Sequence, residues 1–144
     1  MIIVLDTNIV VSGMLWRGTP RSVLDGVRAG KIELATSAPL LKELVDVLSR
    51  PKFQEKIRTA GMSPHVLAGH YARLARKVIP VGIHGVVKSD PDDDQVIACA
   101  VAASADAIVS GDQAVLGLKY FRDIPIITAA EIVKRANLSS HSIP

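Results

Sequence analysis

Short runs of branched aliphatic residues alternate along this chain with longer amphipathic segments, which predicts an α/β fold: a mainly parallel sheet with helices on both faces. Three observations carry that expectation. Ile2-Ile3-Val4-Leu5 is continuously apolar, the pattern of a central parallel strand covered on both sides. Ala107-Ile108-Val109 repeats the pattern behind a helix-like segment. Between them Leu40, Leu41, Leu44, Val45, Val47 and Leu48 recur at helical spacing and form one broad inward stripe.

The chain has the size of one domain, expected to span residues 1–136, with a polar, frayed tail over 137–144. Its 49% hydrophobic and 22% charged content suits a folded core rather than disorder. Aromatic residues make up only 3%, so that core must be aliphatic. A net charge of +3 permits a polyanionic partner without requiring one. The single cysteine, Cys99, cannot form an intramolecular disulfide and fits a reducing compartment; it reads as a buried packing residue. MIIVLDTNIVV has no basic leader and Asp6 interrupts its apolar run, so no signal peptide is expected. No apolar run approaches the roughly 20 residues of a membrane span. These features together predict a soluble, cytoplasmic protein.

The elements follow in order. After the first strand, Asp6-Thr7-Asn8 reads as a turn and Gly13–Pro20 as a loop holding Trp16 and Arg17. A helix is expected from about Arg21 to Ala29, and a second strand over Ile32–Ala35. Thr36-Ser37 can cap the next helix, with Pro39 in its first turn. A basic helical segment runs from Arg50 to Ala60, and Ser63-Pro64 starts another helix through Tyr71 and Leu74 to Lys77. Val78–Val81, with Pro80, suits an edge strand, and Gly82–Lys88 a loop. Farther on, Gln113–Gly117 looks like one helical turn and Lys119–Asp123 a connection. Pro125–Ile127 is the final strand, and Thr128 caps a helix to about Ala136.

The stretch DPDDDQVIACAVAASADAIVSGD, from Asp90 to Asp112, organises the rest. Asp90 reads as an N-cap and Pro91 as a first helical position, with Asp92 and Asp93 in the positive first turn. Asp94 is one acid more than a cap requires, and it shares a face with Ile97, Ala98 and Val101, the side expected to pack inward. That helix should end near Ser104 and feed the strand Ala107–Val109, with Asp112 just beyond. A helix runs antiparallel to the parallel strand it feeds, so its start and the strand's end share one edge of the sheet. Asp94 and Asp112 are therefore expected to be neighbours. Asp6 ends the first strand at the same carboxyl edge, where ligand chemistry is expected in open α/β sheets. Glu43 lies early in a helix that follows a strand, on the border of its apolar stripe. Spacing alone does not separate it from Asp46; Glu43 is favoured because it is closer to the helix start.

Clustered carboxylates repel and raise one another's pKa, so they need basic partners, shared protons or a hard cation. Mg²⁺ takes oxygen ligands, keeps several waters, and commonly uses a few carboxylates plus substrate phosphate. Such a site suits phosphodiester hydrolysis. Asn8 and Ser110 are short polar groups able to position a water or a phosphate; for Ser110 a simple turn role weighs equally. His65, His70, His84 and His141 show no metal-ligand spacing.

The segments LDTNIVVSG, TSAPLLKELVDVL, DPDDDQVIACAVAASADAIVSGD and IPIITAAEIV together resemble the PIN-domain nucleases, most of all the small VapC-like toxin components of toxin–antitoxin pairs. The similarity spans nearly the whole chain. No single motif is specific, but four acids in order within a βα pattern are. The resemblance implies a three-layer α/β/α sandwich with a roughly five-stranded parallel sheet. It implies cleavage of single-stranded RNA with one or two Mg²⁺ ions, Mn²⁺ substituting, an antitoxin partner, and a homodimer or higher homo-oligomer. The four family acids correspond to Asp6, Glu43, Asp94 and Asp112, as metal ligands and catalytic residues, and the small polar residues near the metal to Asn8 and Ser110. Many relatives have Thr where this chain has Ser110, which keeps the hydroxyl. Asp90, Asp92 and Asp93 are possible additional acids, since an acidic helix start accounts for most of them.

Two other enzyme classes place acids at this edge. A haloacid-dehalogenase-like phosphatase needs a second Asp two residues after the first, where this chain has Asn8. A receiver domain needs Lys near its last strand end, where this chain has Thr128. A module of the same fold that binds RNA or protein without catalysis is the alternative of a different kind.

Overall fold

Parallel strands need crossover connections, and the helical stretches of this chain supply them. The computed structural model describes residues 1–80 and 91–138, with side chains for all of these except 91–93. Asp90 and the expected loop over Gly82–Lys88 lie outside the described residues, as do Val81 and residues 139–144.

The first half runs β1 (Ile2–Leu5), α1 (Thr7–Leu15), α2 (Thr19–Arg28), β2 (Glu33–Thr36), α3 (Ala38–Leu48), α4 (Pro51–Thr59), α5 (Pro64–Leu74) and β3 (Ala75–Lys77). The second half runs α6 (Pro91–Ala103), β4 (Ala107–Val109), α7 (Gln113–Leu116), β5 (Tyr120–Phe121), β6 (Ile124–Ile127) and α8 (Ala129–Arg135). The sheet order is β3-β2-β1-β4-β6-β5. All neighbours pair parallel except β5, which is antiparallel to β6. The expected parallel sheet is present, and β5 adds a sixth, two-residue strand where a plain connection was expected. Arg122, at φ 53°, makes the tight turn that folds β5 back on β6.

Side-chain alternation divides the interior into two cores, one on each sheet face. Ile3, Leu5, Leu34, Val109 and Ile127 pack with the inner faces of α1 to α5 and α8. Val4, Ala35, Ile108 and Ile126 face the other way, onto Val96, Ile97, Cys99 and Ala100 of α6 and Val115 of α7. This is the three-layer sandwich.

Two local expectations are corrected. The stretch read as a turn at Asp6-Thr7-Asn8 and a loop from Gly13 is largely α1. Its Ile9, Val10 and Val11 have middling helix propensity, but all three are buried, as is Leu15, and tertiary packing overrides so weak a prior. Gly13 looks like a breaker, yet it marks contact: a Cβ there would lie 2.8 Å from Leu24 Cδ1 and 2.9 Å from the Pro20 carbonyl. The second correction is the edge strand, which comes three residues early, as Ala75–Lys77 in place of the last turn of a helix. Leu34, Ala35 and Thr36 pair with Ala75, Arg76 and Lys77, and Val78 N–H donates to the Thr36 carbonyl at 2.8 Å. Pro80 has no N–H to offer, so pairing has to be complete before it.

Strand order places the site. From β1 the chain passes to β2 on one side; from β4 it passes by way of β5 to β6 on the other. The order reverses between β1 and β4, and a crevice opens beyond their carboxyl ends. Asp6 follows β1 directly and Ser110 follows β4.

Candidate active site

Asp6 serves the sheet and a helix at once. Its N–H donates to the Val109 carbonyl at 2.9 Å, continuing the ladder between β1 and β4. Its carbonyl accepts from Ile9 and Val10, and its carboxylate caps α1, with Oδ1 accepting from Asn8 N–H at 3.4 Å. The residue is only 5% exposed. A carboxylate held this deep keeps one orientation.

Ser110 holds it from across the crevice. The Ser110 N–H donates to the Ile127 carbonyl at 3.0 Å, which fixes the residue at the end of β4. The Asp112 N–H donates to Ser110 Oγ at 3.0 Å, so the hydroxyl proton is left to point at Asp6 Oδ2, 2.7 Å away. Asp112 in turn caps α7, its Oδ1 accepting from Ala114 N–H at 2.7 Å. Asp6, Ser110 and Asp112 are thus joined through one fully buried hydroxyl.

The other acids arrive on helices. Asp94 lies in the second turn of α6 and is 6% exposed, on the same inward side as Ile97 and Ala98. α6 packs on β1, β2 and β4, and its start belongs to the edge that carries Asp6 and Ser110. α3 begins straight after β2, capped by Ser37 Oγ, which accepts from Leu40 N–H at 3.4 Å. On α3, Glu43 is half-buried and Asp46 exposed, a difference in burial that spacing did not reveal. Asn8 is exposed in the first turn of α1. Asp90 and the side chains of Asp92 and Asp93 lie outside the described residues.

One group at this edge was read only as part of a helix cap. Thr36 ends β2 beside β1; its hydroxyl is buried and, among the described residues, has no hydrogen-bond partner. Behind it, burial pushes the Cys99 thiol up to about 11, against the lowering effect of a hydrogen bond with Ser37. A thiol in that state is a packing group, not a nucleophile.

The donors gathered here are carboxylate and hydroxyl oxygens, the set that suits a hard divalent cation. Among the described residues, no group of three or more His, Cys, Asp or Glu side chains forms a ready-made cage. Such a cation commonly takes a few carboxylates, with its other positions left to water and phosphate. Among the described residues, no helix is long and apolar enough to cross a membrane.

Comparison with known proteins bears on this geometry. The family model described as the PIN domain matches residues 2–114, a span that includes Asp6, Glu43, Asp94, Ser110 and Asp112. Comparison with curated proteins gives no match. Among solved structures, the crystal structure of VapBC2 from Rickettsia felis bound to a DNA fragment from their promoter contains a similar chain. The two are 16% identical with a TM-score of 0.57, over 89% of this chain and 98% of that one. At that identity the likeness speaks to the fold. With more than half its length matched, this chain belongs to the PIN-domain family.

Proposed function

We propose that this protein is an endoribonuclease that hydrolyses single-stranded RNA with Mg²⁺, or Mn²⁺ in its place, and that it is the toxin component of a toxin–antitoxin pair. PIN-domain proteins are in general nucleases that use divalent metal ions. The observation that carries the proposal is the buried Asp6 carboxylate, oriented by Ser110 at the point where the strand order reverses. Asp6, Asp94 and Asp112 would hold one or two cations, with Glu43 at the border. A bound divalent cation supplies a polarised phosphate and a water of lowered pKa.

The residues of the chain do the positioning. Ser110 holds the Asp6 carboxylate in one rotamer, which fixes where a phosphate must sit for in-line attack. Asn8, beside Asp6, offers an exposed amide to a phosphate oxygen or to the attacking water. The acids themselves repel phosphate, so entry of the scissile phosphate into the crevice and turnover should both need the cation.

VapBC2, similar in fold, was crystallised with promoter DNA. By that likeness an antitoxin is the partner proposed here, together with self-association as a homodimer. The test is incubation of the purified protein with mixed single-stranded RNA in Mn²⁺ or Mg²⁺. Chelator and the variants Asp6→Asn and Asp94→Asn should each lower cleavage by about a hundredfold or more. Undiminished cleavage in Asp6→Asn would overturn the mechanism.

A second reading has its own support. The lack of a three-acid group among the described side chains suits a module that binds RNA or protein without cutting it. Absence of both cleavage and calorimetric metal binding would favour that reading.

A further inference from the structure

Away from the acids, a groove crosses the helical layer built by α1, α2, α4 and α5. One hollow of about 370 Å³ is lined by Arg17, Arg21, Arg28 and His70. A second, of about 290 Å³, shares Met14, Arg28 and His70 with it and adds Arg73. A third, of about 420 Å³, shares Met14 and Arg21 and ends at Lys56. Met14 is common to all three, so they form one track. Among the described residues, none that lines them belongs to the acidic crevice.

The charge of this track is one-sided. Four arginines and a lysine line it, and among the described lining residues Asp25 is the sole carboxylate, paired with Arg28 at 2.8 Å. Arg21 is locked in place, its Nε and Nη2 donating to the Gly13 and Met14 carbonyls, both at 3.1 Å. The guanidinium fork of arginine matches phosphate oxygens.

An aromatic platform stands at one end. Trp16 is 45% exposed, braced edge-on by Phe53 with ring centroids 5.9 Å apart. Lys56 Nζ lies 5.2 Å from the Trp16 ring, and Lys52 Nζ 5.0 Å from that of Phe53. An exposed indole beside phosphate-binding cations is the pairing that single-stranded nucleic acids use, bases stacking while the backbone follows the charge. An acidic peptide would satisfy the cations but has no base to stack.

We infer that this groove is a second binding track for single-stranded RNA, with Trp16 stacking a base and Arg17, Arg28, Arg73 and Lys56 holding phosphates. That the strand is RNA rests on the ribonuclease reading. Asp6 caps one end of α1 and Trp16 the other. A helix of nine residues spans about 14 Å, so a strand in the crevice can continue into the track. The track supplies the attraction that the acidic crevice lacks.

Trp16 is the only tryptophan in the chain, so its fluorescence reports the platform directly. The wild-type protein in excess EDTA, where metal-dependent turnover stops, is titrated with an unlabelled single-stranded RNA of about 12 nucleotides, within the roughly 4–16 nucleotides of a single-strand site. Saturable quenching is expected, with affinity falling as salt rises. In anisotropy with a labelled oligonucleotide, Trp16→Ala should bind about five- to 150-fold more weakly, and Trp16→Phe should recover most of that loss. Arg17→Gln with Arg28→Gln should lower the salt slope by about 1.4. Matching far-UV circular dichroism confirms that each variant is folded. Unquenched Trp16, an unchanged salt slope, or equally tight binding and quenching by oligoglutamate would each overturn the inference. Binding without any cleavage in Mn²⁺ would remove the ribonuclease reading and leave the track. Cleavage with a silent Trp16 would do the reverse.

Discussion

Ser110 has no exposed surface, yet its hydroxyl joins the two acids that end β1 and follow β4. Removing it takes a hydrogen bond from a buried carboxylate, and losing a partner of that kind costs about 1–3 kcal/mol. Ser110→Ala should therefore lower the urea-unfolding free energy by about that amount. Under the proposed mechanism it should also slow RNA cleavage about 10- to 100-fold, as loss of a group that orients a metal ligand does. Ser110→Thr keeps the hydroxyl and should restore both readings; equal loss in both variants would mean that packing, not the hydrogen bond, is at work. At this scale, the position of Asp6 was legible because a strand's last residue is marked by where the apolar run stops. The inward face of Asp94 was legible from its spacing to Ile97 and Ala98. The bridging role of Ser110 was not, because its partner lies 104 residues away and a local pattern holds no trace of it.

Among elements, α1 is held against α2 by close approach at Gly13. The obstacle to a side chain there includes the Pro20 carbonyl, which is backbone and cannot swing aside. Gly13→Ala should cost about 1–3 kcal/mol by overpacking. Gly69, within α5, has nothing within 4 Å of its would-be Cβ, so Gly69→Ala should stabilise by about 0.4–1 kcal/mol through helix propensity. Chemical denaturation of the two variants checks the opposite signs. The same pair shows why α1 escaped the sequence reading: a glycine inserted for clearance and one merely tolerated look alike until the neighbouring helix is placed. Caps were easier. Ser37 and Thr128 each accept a hydrogen bond from an N–H three residues on, a local chemistry that residue type alone announces. β3 was displaced for the opposite reason, since Ala75, Arg76 and Lys77 have no strand pattern of their own and are paired by the strand beside them.

For the molecule as a whole, the two cores meet conditions together. Burial raises the pKa of Tyr71 in one core, with Cys99 adding to it, and burial raises that of Cys99 in the other. Both groups are neutral when protonated, and folding favours that form. Below the thiol's ordinary value of 9.0 this contribution is complete, and it is lost as pH climbs through about 11. The melting temperature should therefore fall steadily above pH 9, and Cys99→Ala should flatten the part of that decline owed to the thiol; identical slopes would show that other groups set it. The parallel architecture at this scale was legible, because buried apolar strands separated by helices permit few arrangements. The sixth strand was not, being two residues paired through a turn. The separation of Asp6 from Ser110 also has a consequence in time. A ribosome releases this chain from its amino end, so Asp6 emerges about a hundred residues before the hydroxyl that orients it. Until β4 docks beside β1 the growing polypeptide holds half a site, so the pairing of these two strands is the folding step that completes it.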